Sequence, residues 1–125
     1  MVTGMRWVAA LVALFAVGSV SAQTPEETSQ APGGVVRVLD KVSGELTDLE
    51  IFSGEAQAAG RIQVTLQECR YPAENPSGDA YAFLTISVRG ATKAAYQGWM
   101  IASAPALNPL DHPRYDVWVL RCMIS

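Results

Sequence analysis

The sequence predicts an all-β fold: a small antiparallel sandwich or partly open barrel of about seven strands, closed by one disulfide. Three observations lead there. From Val35 onward, short runs rich in β-branched and aromatic residues alternate with Gly, Pro, Asn and Ser punctuation at intervals of about ten residues. No apolar period of the helical kind is sustained in that stretch. Two cysteines, Cys69 and Cys122, lie behind an N-terminal segment patterned like an export signal.

That segment places one cation, Arg6, before an apolar run from Trp7 to Val17, and ends in the small-residue stretch Val20-Ser21-Ala22. The run is shorter than the roughly 20 apolar residues that span a bilayer. Residues 1–22 are therefore expected to be a signal peptide cleaved after Ala22, delivering the chain to the periplasm with no membrane span in the mature form. Residues 23–34 contain no large apolar side chain and read as a flexible linker, since nothing in them offsets the entropy of ordering. Residues 35–125 remain as a single β domain.

Within the domain, Val35 to Asp40 and Glu45 to Phe52 flank Lys41-Val42-Ser43-Gly44, a hairpin connection in which Gly44 supplies a positive φ. A short strand over Glu55 to Ala58 turns at Ala59-Gly60. The longest alternating run follows, with Ile62, Val64 and Leu66 on one side and Gln63, Thr65 and Gln67 on the other. Its parity points Cys69 outward unless an extra residue near Gln67 or Glu68 forms a bulge, so a bulge is predicted there. Pro72, Asn75, Pro76, Ser77 and Gly78 make a loop. Ala82, Leu84, Ile86 and Val88 then alternate against Tyr81 and Phe83 within a strand from Ala80 to Val88. Ala94 to Ile101 and Tyr115 to Cys122 complete the set, separated by the proline-punctuated segment Ser103 to Pro113.

The nine Lys and Arg residues and twelve Asp and Glu residues give a net charge of −3; removing Arg6 with the signal peptide leaves 8 − 12 = −4. The cations are scattered singly, so no stripe exists to displace counterions from phosphates along a strand, and no nucleic-acid partner is expected. An oxidising compartment favours pairing of Cys69 with Cys122; two unpaired buried thiols are the alternative, which thiol titration would reveal.

Candidate chemistry is sparse. His112 is the single histidine, beside Asp111 and near Asp116, and such a trio could hold a metal or run acid–base chemistry. A tight metal site draws on more His or Cys ligands than remain once the cysteines pair. Turn-making in Leu110-Asp111-His112-Pro113 is the simpler reading, with Asp111 capping the turn. Ser103 lies in no glycine-flanked elbow, and Gly33-Gly34 precedes a strand where a phosphate loop needs a helix. No catalytic residue, metal or cofactor is assigned. Among the aromatics, Tyr81 and Phe83 share one strand face, and Trp99 and Trp118 fall in phase with Ile101 and Leu120. These four either concentrate on one sheet face as a binding surface or fill the core.

Gly98-Trp99-Met100-Ile101-Ala102-Ser103-Ala104-Pro105-Ala106-Leu107, Leu110-Asp111-His112-Pro113 and Tyr115-Asp116-Val117-Trp118-Val119-Leu120-Arg121-Cys122 resemble the end of the bacterial family called domain of unknown function 2155. Val38-Leu39-Asp40-Lys41-Val42-Ser43-Gly44, the Gly60 to Cys69 run and Cys69-Arg70-Tyr71-Pro72 are similar to it as well, so the likeness spans nearly all of residues 35–122. The resemblance implies an uncharacterised exported protein of alphaproteobacterial type whose paired cysteines are Cys69 and Cys122. The resulting expectation is a non-enzymatic periplasmic module that binds an envelope protein or cell-wall component. A small envelope enzyme or metal-binding protein centred on Asp111, His112 and Asp116 is the alternative.

Overall fold

The computed structural model describes residues 27–124. They form eight strands: β1 Thr28–Ala31, β2 Gly33–Asp40, β3 Leu46–Phe52, β4 Glu55–Ala59, β5 Ile62–Pro72, β6 Tyr81–Val88, β7 Tyr96–Ile101 and β8 Tyr115–Met123. All pairings are antiparallel, in two sheets. A three-stranded sheet runs β3-β2-β8. A five-stranded sheet runs β1-β5-β6-β7, with β4 also pairing with β5. Long β5 accommodates both partners on one edge, β4 against Ile62 to Leu66 and β1 against Cys69 to Pro72. Of the two expected architectures, a sandwich or a partly open barrel, the structure takes the two-sheet sandwich.

The eighth strand lies in the stretch expected as linker. Thr28 to Ala31 form a ladder with Cys69 to Pro72, Ala31 is buried, and Arg70 reaches across to donate to Thr28 Oγ1 at 2.7 Å. Here order comes from backbone pairing along an open sheet edge, which needs no large apolar side chain. Gly33 and Gly34 likewise belong to β2. A Cβ on Gly34 would sit 3.1 Å from Cys69 Sγ, and one on Gly33 would collide with Met123 Cε and Ile51 O. Of the glycines that suggested flexibility, Gly34 permits close approach of the two sheets beside Cys69, and Gly33 leaves room for its neighbours within the three-stranded sheet. The proposed signal peptide and residues 23–26 lie outside the described residues.

Pro32, between β1 and β2, carries the chain from one sheet to the other, and Ser53-Gly54 carries it back. Ser53 N donates to Pro32 O (2.9 Å), its Oγ to Ala31 O (3.2 Å), and Gly54 N to Leu66 O (2.7 Å), so the two crossings brace each other.

Inward alternation builds the core. Val36, Val38, Leu49, Ile51, Val117 and Val119 from the three-stranded sheet meet Ile62, Val64, Leu66, Ala82, Leu84, Ile86 and Met100 from the other. Each fully buried aliphatic side chain contributes about 1.5–3 kcal/mol. The predicted bulge is present: Leu66 pairs with Leu84 but Glu68 with Phe83, leaving Gln67 as the extra residue. A second one occurs in β8, where Val36 faces Val119 but Val35 faces Arg121, leaving Leu120 extra. Each bulge shifts the alternation by one residue, so Cys69 follows Leu66 inward and Cys122 follows Val119. Plain alternation would turn both cysteines outward. With both bulges they meet in a disulfide joining β5 to β8 across the sandwich, 53 residues apart in sequence with Cα atoms 5.8 Å apart.

Candidate binding face

The residues Asp111, His112 and Asp116 stand at the junction between the long loop and β8. His112 Nδ1 accepts from the backbone N–H of Arg114 (3.0 Å) and of Tyr115 (3.2 Å), and its ring lies 5.5 Å from the Tyr115 ring. The imidazole thus caps the turn, a role the sequence had suggested for Asp111. Asp111 is exposed, while Asp116 pairs with Lys41 at 3.6 Å, and Lys41 Nζ donates to His112 O at 2.7 Å. Beside them Arg114 grips Asp40 (3.0 Å). That bond from Arg114, helped by the N–H groups of Ser43 and Val42, holds the Asp40 carboxyl at a pKa of about 2. Among the described residues no three His, Cys, Asp or Glu side chains are grouped to hold a metal ion. The cluster ties the β2–β3 hairpin to the start of β8.

The aromatic residues divide between the two sheets. Tyr81, Phe83 and Trp99 project from the outer face of the five-stranded sheet, opposite the buried Ala82, Leu84 and Met100. Phe83 and Trp99 are direct cross-strand partners, with ring centroids 5.3 Å apart in an edge-to-face arrangement. Trp99 keeps 41% of its surface exposed. Trp118 does not join them. It lies on β8, opposite Arg37, on the outer face of the three-stranded sheet. Strand parity reports the side of a strand but not the sheet to which the strand belongs, and the 102–114 loop carries β8 across the sandwich instead of beside β7.

Tyr81, Trp99 and Ile101 line a shallow groove of about 310 Å³ with Thr28 and Arg70. Arg70 is anchored by donating to Thr28 Oγ1 (2.7 Å) and Thr28 O (3.3 Å), and it pairs with Glu68. Thr28 could not be found in the sequence because it sat in the presumed linker. Arg70, in Cys69-Arg70-Tyr71-Pro72, carried no signal beyond its charge.

The groove's far wall is fixed by the long loop. Asp79 accepts from Ser103 N (3.0 Å) and Ser103 Oγ (2.7 Å), while Asn108 Nδ2 donates to Trp99 O (3.1 Å) and Tyr96 OH to Asn108 O (2.9 Å). Burial of Tyr96 raises its hydroxyl pKa, keeping it a donor. Past Phe83 the face becomes polar. With the Gln67 amide oriented so that Oε1 accepts from Thr85 Oγ1 (2.6 Å), its nitrogen donates to Phe83 O (2.9 Å) and Thr65 O (3.2 Å), satisfying the backbone at the bulge. Among the described residues no helix is long and apolar enough to cross a membrane.

Together these features define a disulfide-joined antiparallel sandwich with one outer face shaped by aromatic side chains and a groove. Residues 34–122 match the family described as an uncharacterized protein conserved in bacteria, domain of unknown function 2155, and the chain belongs to it. It is also similar to an uncharacterized protein of Rickettsia prowazekii (strain Madrid E), with 25% identity over 92 residues, covering 71% of this chain and 59% of the relative. The matched region thus spans less than two thirds of that relative's length. No solved structure matches.

Proposed function

We propose that this protein is a non-enzymatic binding module of the bacterial periplasm, exported by residues 1–22 and engaging an envelope component through the outer face of the five-stranded sheet. The observation that carries this reading is the partly exposed Trp99, stacked edge-on against Phe83 beside a groove lined by Thr28, Arg70, Tyr81 and Ile101. Aromatic side chains offer large contact area with little loss of side-chain entropy, and they gain most at surfaces they help desolvate. The Cys69–Cys122 bond supports the oxidising compartment.

The test has two parts. Mass spectrometry of the protein isolated from the envelope fraction is expected to give an N-terminus at Gln23; an intact Met1 there would remove the export claim. Separately, the immobilised protein is compared with its Trp99→Ala variant for retention of envelope components. Loss of a retained component in the variant, with unchanged circular dichroism and an intact disulfide, supports the reading. Equal retention by both proteins overturns it.

A further inference from the structure

At the opposite end of the same sheet, the turn after β4 and the turn after β6 enclose a second concavity, of about 380 Å³, whose lining includes Arg61, Ile62, Gln63, Ser87, Val88 and Arg89. Two of these residues are arginines set directly across from one another. Beyond the last registered pair, Ile62 with Val88, the ladder continues as Arg89 N donates to Arg61 O at 2.8 Å. Both arginines are exposed turn residues, and they line this cavity together with Gln63 and Ser87. Two like charges lining one cavity repel unless an anion answers them. Among the described residues nothing does: the ion pairs there are Arg37–Asp48, Lys41–Asp116, Arg70–Glu68 and Arg114–Asp40.

We propose that Arg61 and Arg89 form a binding site for a phosphate group. A carboxylate carries one negative charge and leaves one of the two guanidinium charges unanswered, whereas a phosphate monoester offers three terminal oxygens and nearly two negative charges, enough to answer both. The Ser87 hydroxyl and Gln63 amide on the same wall add neutral hydrogen-bonding groups. The ladder side chains on this face between Arg61–Arg89 and the aromatic groove include Gln63, Thr65, Thr85 and Ser87, with Glu68 as a carboxylate already held by Arg70. A phosphate approaching the cleft therefore meets little repulsion even though the chain as a whole is acidic. From Phe83 to Arg89 is six residues of strand, about 20 Å. The cleft and the aromatic groove are thus separate sites on one face, and this proposal does not depend on the other.

Amide chemical shifts of the purified protein, titrated with inorganic phosphate at constant ionic strength, test the site. Saturable shifts are expected at residues 61–63 and 87–91. Arg61→Gln and Arg89→Gln should each weaken binding by about tenfold or more, whereas Trp99→Ala leaves it unchanged. With one of the two like charges removed, Arg61→Gln should melt no lower than wild type without phosphate and should lose the rise in melting temperature that phosphate gives wild type. A second arm uses vesicles of phosphatidylglycerol against phosphatidylcholine. Retention on the anionic vesicles that falls in the Arg61→Gln/Arg89→Gln double variant identifies a lipid headgroup as the source. A response to inorganic phosphate without such retention identifies a soluble phosphate compound. Two outcomes overturn the proposal: no saturable shift together with vesicle retention equal in wild type and double variant, or phosphate-induced shifts that persist unchanged in the double variant.

Discussion

The outer faces of the two sheets differ in where their ion pairs fall. Three of the four ion pairs among the described residues stand on the side of the three-stranded sheet: Arg37 with Asp48, Lys41 with Asp116 and Arg114 with Asp40. On the five-stranded sheet Glu68 is held by Arg70, while Arg61 and Arg89 line one cavity with no ion pair and the intervening positions are amides and hydroxyls. Exposed apolar side chains also differ. On β3, Leu46 and Phe52 sit singly at opposite ends of the strand, whereas Trp99 is joined by Phe83, Tyr81 and Ile101 around a groove. Paired charges and isolated apolar residues are the ordinary finish of a solvated surface. Grouped aromatics and arginines without an ion pair are the reason the proposed binding sites fall on the five-stranded face.

The comparison presupposes that the two sheets keep their relation, so the largest expected effect comes from cutting the link between them. Cys69→Ser/Cys122→Ser should lower stability by about 4 kcal/mol, the loop-closure value for a crosslink of this span, read as a shift of the urea midpoint. A change below 1 kcal/mol would mean that the core alone fixes the sandwich. Next comes Gly34→Val. Its branched side chain would enter the space beside Cys69 Sγ and should destabilise the protein by about 1–3 kcal/mol, measured the same way. An unaffected midpoint would return Gly34 to the status of a linker residue.

The smallest effect belongs to the paired face. The Asp40 carboxyl titrates at about 2 in the folded protein against an ordinary 3.8, so the folded state favours its ionised form. The contribution of its bond to Arg114 is present above pH 3.8 and is lost as the pH falls toward 2. Wild type should therefore lose more of its urea midpoint between pH 5 and pH 2.5 than Asp40→Asn does. Parallel curves would show that Asp40 and Arg114 are indifferent to stability.

Much of the fold was legible because inward alternation is written directly in Ile62, Val64, Leu66 and in Ala82, Leu84, Ile86. The bulge at Gln67 was legible for a related reason: Cys69 had to change phase to reach a partner. The matching bulge at Leu120 was hidden, because Trp118, Leu120 and Cys122 are all apolar and the alternation around them carries no contrast. β1 was hidden because Thr28 to Ala31 owe their order to the edge of β5 and not to their own side chains. The candidate face was half legible. Tyr81, Phe83 and Trp99 share it as parity suggested, but the placement of Trp118 depended on where a loop crosses. The opposition of Arg61 and Arg89 depended on a register between strands that neither strand specifies alone.

The disulfide also determines how the protein would respond to being pulled. Cys122 lies one residue before the end of β8, so a force applied at the C-terminal side passes almost at once into the bond and through it to Cys69 in β5. The stretch between the two cysteines, containing β6, β7 and most of β8, is bypassed and bears none of the load. Reduction would release it, adding roughly 175–190 Å of contour length for its 53-residue span. While oxidised, extension draws mainly on the strands before Cys69, and the greater part of the aromatic groove rides inside the shielded loop.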